Sequence, residues 1–437
     1  MKITADFSRN IGPVRPMHAV NNGPAKPSND QNCDNFAAWL DAGIPYARNH
    51  DASFCAEYGG EHTVDILAIF PDFDADVNDP ASYDFVLTDE YNETIMKAGA
   101  KVFYRLGHKI EHAKKKYGTL VPKDFNKWAQ ICEHIIAHYT EGWADGFYWD
   151  MPYWEIWNEP DLDRDDATNK RCWGGTADEF FKLFRVAALH LKKRFPHLKI
   201  GGPALAFNTG EWLDRFLAAM TEGERVPMDF FSWHIYCTEP ADMTNRAKIV
   251  RAKLDAAGYT ETESICNEWN YVKGWDKEFV YSIEMISSMK GAAFTASCML
   301  EMQNAGLDML MYYDARVNTV FNGMFDLYTL RPRKAYYPFK MFSTLYKLEK
   351  AAACTAEGEG LYAVAAANGD ATAVMLSTYT DDDADTALRN VTLELTGGAE
   401  EYEVWLLDED HTMECIGKVA KNGTLPLPAR SVVLLKA

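Results

Sequence analysis

Glu159 and Glu268 each close an apolar, aromatic run, in "YWEIWNEPDL" (153–162) and "SICNEWN" (264–270). Both runs read as buried strands, and Pro160 forbids the first from continuing past its glutamate. If the two strands open onto one face, the two carboxyls meet there. One, held protonated, can give a proton to a leaving oxygen; the other, ionised, can attack or stabilise an electron-poor carbon. Breaking a glycosidic bond requires that division of labour. Glu261 and Glu263 compete with Glu268, but they fall at the start of the run and Glu268 closes it.

Further polar residues fall where they could serve such a pair. Asn158, beside Glu159, carries an amide that can grip a sugar hydroxyl. In "SWHIY" (232–236) strand alternation puts His234 and Tyr236 on one face, with Trp233 and Ile235 on the other. With the His–Tyr face inward, Tyr236 could donate to the Glu268 carboxylate and keep it ionised. In "YARNHD" Arg48 and His50 share a face and could bind hydroxyls or orient a carboxylate. Aromatic residues crowd the same run ends, among them Trp154, Trp157, Trp173, Trp269, Tyr271, Tyr312 and Tyr313. Sugar rings stack their C–H faces on aromatics, so some of these suit a carbohydrate and the others must be core.

Positioning these groups needs a regular frame. From residue 11 to 345, eight strand-like segments alternate with helical patterns: "PMHAV", "IPYARNH", "KVFYRLG", "YWEIWNE", "KIGGPA", "DFFSWHIY", "SICNEWN" and "MLMYYDA". The clearest helix runs from residue 177 to 195, with Thr176 and Glu179 forming a capping box and Pro196 ending it. Eight such alternations predict an α/β fold, a (β/α)8 TIM barrel whose reactive groups sit at the C-terminal strand ends. Residues 346–437 read instead as short alternating strands divided by Asn-Gly, Gly-Gly and Asp-rich turns, a C-terminal antiparallel β-sandwich domain. The N-terminal strand, residues 1–10, is expected to pair into it.

On these motifs the chain resembles clan A glycoside hydrolases, and within the clan glycoside hydrolase family 39, which includes β-xylosidases and α-L-iduronidases. "WEIWNEP" at 154–160 resembles the acid/base signature, and "RNHD" at 48–51, "SWHIY" and "CNEWN" follow in the family's order. The resemblance implies Glu159 as acid/base and Glu268 as nucleophile, with retention of configuration by double displacement. His50, Asn158, His234 and Tyr236 would then line the sugar subsite, joined by Trp269, Tyr313 and Arg316. The eighth strand departs from the family pattern. Where the resemblance leads us to expect a Trp and acidic residues, "YYDARVNTVF" supplies Tyr312, Tyr313, Asp314 and Arg316. Arg316 facing the pocket would favour a carboxylated sugar; Arg316 paired to Asp314 would not. The expected activity is exo-acting hydrolysis of β-xyloside-like, α-L-arabinoside-like or uronide substrates, without a metal or other cofactor.

Rival chemistries are weaker. "HKIEH", His108 to His112, fits an inverted zinc-peptidase pattern, with Glu111 as base. It begins in the loop after the third strand, and no second motif supplies a third ligand. A catalytically silent carbohydrate-binding barrel would not need both glutamates. "TDDDAD" at 380–385 lacks calcium-loop spacing and reads as a hairpin tip.

A formal charge of −20 over 437 residues argues against a nucleic-acid partner. No segment has the apolar length to span a bilayer, and the first residues lack a signal-peptide pattern. Nine scattered cysteines without a Cys-x-x-Cys suit reduced thiols and a cytoplasmic location. The expected partner is an oligosaccharide or glycoside substrate. Loop 161–175 carries no motif, and the oligomeric state stays open, a homo-oligomer included.

Overall fold

The computed structural model describes residues 1–25, 34–50 and 63–437. Eight parallel strands close a barrel in chain order: β2 (Ala19–Asn21), β3 (Tyr46–Arg48), β4 (Lys101–Leu106), β5 (Tyr153–Ile156), β6 (Lys199–Leu205), β7 (Phe230–Cys237), β8 (Glu263–Tyr271) and β9 (Met309–Tyr312). Each overlaps one of the eight segments expected from sequence and runs no more than one residue beyond it at either end. A helix follows every strand, among them α4 (Phe125–Glu141) after β4 and α5 (Ala177–Arg194) after β5. The α5 N-terminus carries the reciprocal Thr176–Glu179 capping box, which satisfies two otherwise orphaned N–H groups.

The barrel interior is layered by the two-residue pleat. Ala19, Phe103, Tyr153, Phe230, Ile265, Met309 and Met311 form an apolar plug toward the strand starts, with Tyr46 packed against it. Two residues further along the same strands come Asn21, Arg48, Arg105, Glu155, Ser232 and Asn267, all buried and all polar. The apolar layer closes the barrel; the polar layer is the floor of its mouth.

A second sheet holds β1 (Lys2–Pro13), β10 (Lys350–Glu357), β11 (Leu361–Asn368), β12 (Ala371–Thr378), β13 (Arg389–Thr396), β14 (Glu401–Leu407), β15 (Thr412–Ala420), β16 (Thr424–Leu427) and β17 (Ser431–Lys436). Its order is β15-β14-β17-β12-β11-β10-β1-β13-β16. Pairing is antiparallel except between β1 and β13. The sheet curls until both ends share a core, which includes Ile3, Leu376, Leu393, Val404 and Leu435.

Along β12 and β17, alternate residues face opposite ways. Val374, Leu376, Val433 and Leu435 enter the sheet's own core, whereas Met375, Val432 and Leu434 join the barrel core. Both faces are therefore buried, and these strands read as continuous apolar runs. The helix they cover, α9 (Met289–Ala305), is buried nearly all round, which is why its sequence lacks an amphipathic stripe. Its Lys290 reaches Asp381 at 2.7 Å and Asp383 at 2.9 Å in the loop after β12. The acidic run at 380–385 thus grips the barrel: Tyr271 Oη also donates to Asp381 at 2.6 Å. No described helix is long and apolar enough to cross a membrane.

Candidate active site

The chain leaving β5 turns sharply. Trp157 (φ 75°) and Glu159 (φ 47°) both adopt left-handed backbone, at a cost of about 1–3 kcal/mol for each non-glycine residue. Neighbouring strands hold them there. The Trp157 N–H donates to the Leu106 carbonyl at 2.8 Å and that of Glu159 to the Ala204 carbonyl at 2.9 Å. Trp157 Nε1 donates to the Cys172 carbonyl at 2.9 Å, so loop 161–175 backs this turn. Asp161 ties it to the end of β6 by accepting the N–H groups of Ala206 (3.0 Å) and Phe207 (2.6 Å). Burial pushes the Asp161 carboxyl up to about 7.

Glu268 arrives from β8 through a bulge. Pairing of β7 with β8 runs Trp233 to Cys266 and then His234 to Glu268, leaving Asn267 as the extra residue. A bulge lets two consecutive side chains turn toward one face. Here Asn267 reaches Glu155 at 2.5 Å while Glu268 meets Tyr236. Tyr236 Oη donates to Glu268 Oε1 at 2.6 Å. Arg48 Nη1 lies 3.4 Å and His234 Nδ1 3.6 Å from Oε2. His234 Nδ1 is 2.8 Å from Glu159 Oε1. One oxygen of each glutamate and a ring nitrogen of His234 all lie within 4.8 Å of one another. Burial, chiefly, pushes Glu268 up to about 7; Glu159 adds to this, and His234, Arg48 and Tyr236 oppose it.

Arg48 is fully buried and ties the site to the barrel interior. Its Nε donates to Glu155 Oε2 at 2.7 Å, Nη1 to Asn21 Oδ1 at 3.1 Å, and Nη2 to Asn158 Oδ1 at 2.6 Å. Because the guanidinium only donates, it fixes the Asn158 amide with its NH₂ group away from Arg48.

The structure brings Glu159, Glu268, Asn158, His234 and Tyr236 together. His50 stands on the β3–β4 side of the mouth, where Arg105 donates to its Nδ1 (3.2 Å) and its carbonyl (2.8 Å). Tyr313 is half-buried and packs on Phe321, which also touches Tyr236. Arg316 Nε lies 3.5 Å from Asp314 Oδ2, so the ion pair with Asp314 is present. Trp269 is a correction. It is fully buried between Tyr312 and Phe294 of α9, because strand alternation sends it outward when its neighbour Glu268 points in. Trp269 is core and offers no face to a sugar. Asp51 lies outside the described residues.

Sequence reasoning missed Glu155, Asn267 and the rim aromatics Trp275 and Phe321. Trp275 is 61% exposed with its ring 5.0 Å from that of Tyr236. The two-residue pleat from Tyr153 and Ile265 would have found the first two; nothing local marks the rim pair.

The "HKIEH" segment lies in a loop and not on a helix. The Glu111 carboxylate accepts the N–H groups of Tyr117 and Thr119, at 3.1 Å each, and the Thr119 hydroxyl at 2.6 Å. It organises its own loop, and the i,i+4 geometry of two ligands on a helix is absent. Glu159, His234 and Glu268 converge closely enough to suit a cation. Glu159 Oε1 already lies against His234 Nδ1 and Glu268 Oε1 already accepts from Tyr236, and we assign them no metal.

Comparison with known proteins agrees with this geometry. The chain is 27% identical over 258 residues to a β-xylosidase of Geobacillus stearothermophilus, covering 51% of this chain and 47% of that protein. It is 29% identical over 172 residues to a β-xylosidase of Caldicellulosiruptor saccharolyticus, covering 38% of this chain and 33% of the relative. The match thus spans less than half of either relative's length. In fold, the whole chain superposes on a glucosidase from Croceicoccus marinus (TM-score 0.79, 24% identity, 98% of that chain). It also superposes on a monomeric β-xylosidase from Caulobacter crescentus (TM-score 0.72, 17% identity, 99% of that chain). The profile of glycosyl hydrolases family 39 matches residues 1–271, the stretch that carries both glutamates, and the chain belongs to that family.

Proposed function

We propose that this protein is a retaining glycoside hydrolase in which Glu159 is the acid/base and Glu268 the nucleophile. The observation that carries the reading is the approach of the two carboxyl groups, with one oxygen of each within 4.8 Å of the other. Retention calls for a separation of about 5–5.5 Å, and inversion for about 6.5–9.5 Å to admit a water between them. Glu159 protonates the leaving oxygen while Glu268 attacks the anomeric carbon. Glu159, now a carboxylate, then takes a proton from the water that releases the sugar. Tyr236 and Arg48 stabilise the Glu268 carboxylate, and the Asn158 NH₂ group donates to a sugar hydroxyl.

The β-xylosidase relatives support an exo-acting enzyme on β-xyloside-like substrates, with α-L-arabinosides next. The Asp314–Arg316 pair supplies Arg316 with a carboxylate of the protein's own, which favours a neutral sugar over a uronide. No cofactor enters these steps. We read residues 11–345 as the catalytic unit, and residues 346–437 with strand 1–10 as its support. Among the described residues seven cysteines are free and most of them are buried, which supports a reducing, cytoplasmic setting.

Glu268→Gly is expected to lose at least about 10³-fold in turnover of aryl xylosides, with azide restoring it as a glycosyl azide of inverted configuration. Near-normal hydrolysis by this variant removes Glu268 as nucleophile. Glu159→Ala is expected to slow poor leaving groups by about 10²–10⁴-fold and activated aryl groups far less. Equal slowing of both would remove Glu159 as the acid. A panel of aryl xylosides, arabinosides, glucosides and uronides identifies the sugar.

A further inference from the structure

We propose that Asp161 is a positioning residue for the reaction: it clamps the left-handed turn that carries Glu159 to the exit of β6, and so fixes where the Glu159 carboxyl stands. The proposal rests on the acid/base reading of Glu159 given above.

Glu159, Pro160, Asp161 and Leu162 form a tight turn, closed by the Leu162 N–H donating to the Glu159 carbonyl at 3.1 Å. Proline at the second position arrives with its φ already set, so the turn costs little chain freedom. That local chemistry shapes the turn but does not decide where it sits. Its first residue, Glu159, has left-handed backbone (φ 47°). The strand exit it rests on shares this feature, for Ala204 near the end of β6 has φ 58°. Such backbone at a non-glycine residue persists only where surrounding contacts over-determine it.

Four hydrogen bonds supply those contacts. The Glu159 N–H donates to the Ala204 carbonyl at 2.9 Å. The Ala204 N–H donates to Ser232 Oγ at 2.9 Å, which anchors the β6 exit to β7. Asp161 then reaches back across the gap. Its Oδ1 accepts the N–H of Ala206 at 3.0 Å and its Oδ2 that of Phe207 at 2.6 Å. Both donors follow Leu205, the last residue of β6. Pro160 and Leu162 have no polar side-chain atoms and Glu159 reaches into the site, so the side-chain tie to β6 falls to Asp161. With only 8% of Asp161 exposed, water is a poor substitute for either bond.

The clamp bears on catalysis through the place it gives one carboxyl. Glu159 Oε1 meets His234 Nδ1 at 2.8 Å, and a Glu159 oxygen stands within 4.8 Å of one on Glu268. A misplacement of about 1 Å at a reacting group can cost on the order of 10²-fold in rate. A turn released from β6 would move the proton donor and leave the nucleophile, on β8, where it is.

The test is Asp161→Asn in the full-length chain. The amide keeps the size of the carboxyl but offers one oxygen, so one backbone N–H keeps its acceptor and the other faces an NH₂ group. We expect kcat/KM to fall roughly 10²-fold on glycosides with poor leaving groups and much less on activated aryl glycosides, because only the former need the proton. In a Glu159→Ala background the same substitution should cost less than about threefold more, since the group it acts through is already gone. A merely structural role would slow both substrate classes alike. Equal slowing of the two, or an undiminished further loss in the Glu159→Ala background, overturns the proposal. If Asp161→Asn does not fold, Asp161→Ser, whose hydroxyl still offers one acceptor, takes its place with the same expectations. A crystal structure of the folded variant reads the clamp without turnover. Glu159 should leave its left-handed backbone, and its contact with His234 should lengthen beyond about 3.5 Å. A wild-type protein inert on every glycoside, with Glu159 displaced in the variant, would refute the glycosidase reading alone. An active enzyme whose Asp161→Asn variant keeps Glu159 in place would refute this one alone.

Discussion

The lower and upper layers of the barrel interior are built by the same strands one pleat apart, and their chemistry is opposite. Below, Phe103, Tyr153, Phe230 and Ile265 pack an apolar plug. Two residues on, the strands present Arg105, Glu155, Ser232 and Asn267, joined by Arg48 and Asn21. A buried polar layer next to an apolar one is costly unless its members satisfy each other. Here Arg48, Glu155, Ser232 and Asn267 do so in one connected set. The difference teaches that the plug supplies stability and the network above it supplies geometry. Changes in the two layers should therefore fail in different assays.

Arg48→Met should have the largest effect, because it reaches both assays. It leaves Glu155 buried without its cation, costing about 3–5 kcal/mol of stability by chemical denaturation. It also frees Asn158 and withdraws a positive charge from Glu268, lowering kcat/KM on the order of 10²–10³-fold. Phe230→Ala, in the lower layer, should cost a similar 3–5 kcal/mol or so in the melt. Turnover per folded molecule should stay within about twofold, since ring contacts with Phe103 and Tyr153 are what it removes. A large fall in kcat with normal folding would erase the distinction between the layers.

Tyr236→Phe should be the mildest, at about 1.5–3 kcal/mol for a hydrogen bond to a charged group. Its signature is in the pH profile. Burial already raises Glu268 to about 7, so the carboxylate is lost as pH falls through that region. The acid limb of kcat/KM should therefore lie well above the ordinary glutamate range. Removing the Tyr236 hydroxyl, which lowers the Glu268 value, should move that limb higher still. A limb that moves down, or stays put, would show that Tyr236 does not stabilise the carboxylate.

Much of this was legible in the chain before folding. The eight strand segments, the capped helix α5 and the two glutamates closing their strands rest on local pattern, which survives in the fold. Trp269 was misread because a strand-end aromatic beside a catalytic candidate looks like a sugar platform. Strict alternation from Ile265 would turn Trp269 inward; the bulge at Asn267 shifts the phase, so Glu268 faces in and Trp269 goes to the core. Arg316 left two arrangements open, and the backbone sets it beside Asp314. Trp275 and Phe321 carry no local mark, since they meet Tyr236 only when the loops after β8 and β9 converge.

The amino-acid sequence by itself determined the alternation of strands and helices, the strand-end position of Glu159 and Glu268, and the inward face shared by His234 and Tyr236. These follow from periodicity, from proline and from capping, all of which act over a few residues. Tertiary structure alone decided the separation of the two carboxyls and the bulge that turns Asn267 and Glu268 to the same interior. It also decided the Arg48–Glu155 pair beneath them. Those depend on barrel closure, which brings β3, β5, β7 and β8 within hydrogen-bond reach, and closure is a property of all eight strands at once.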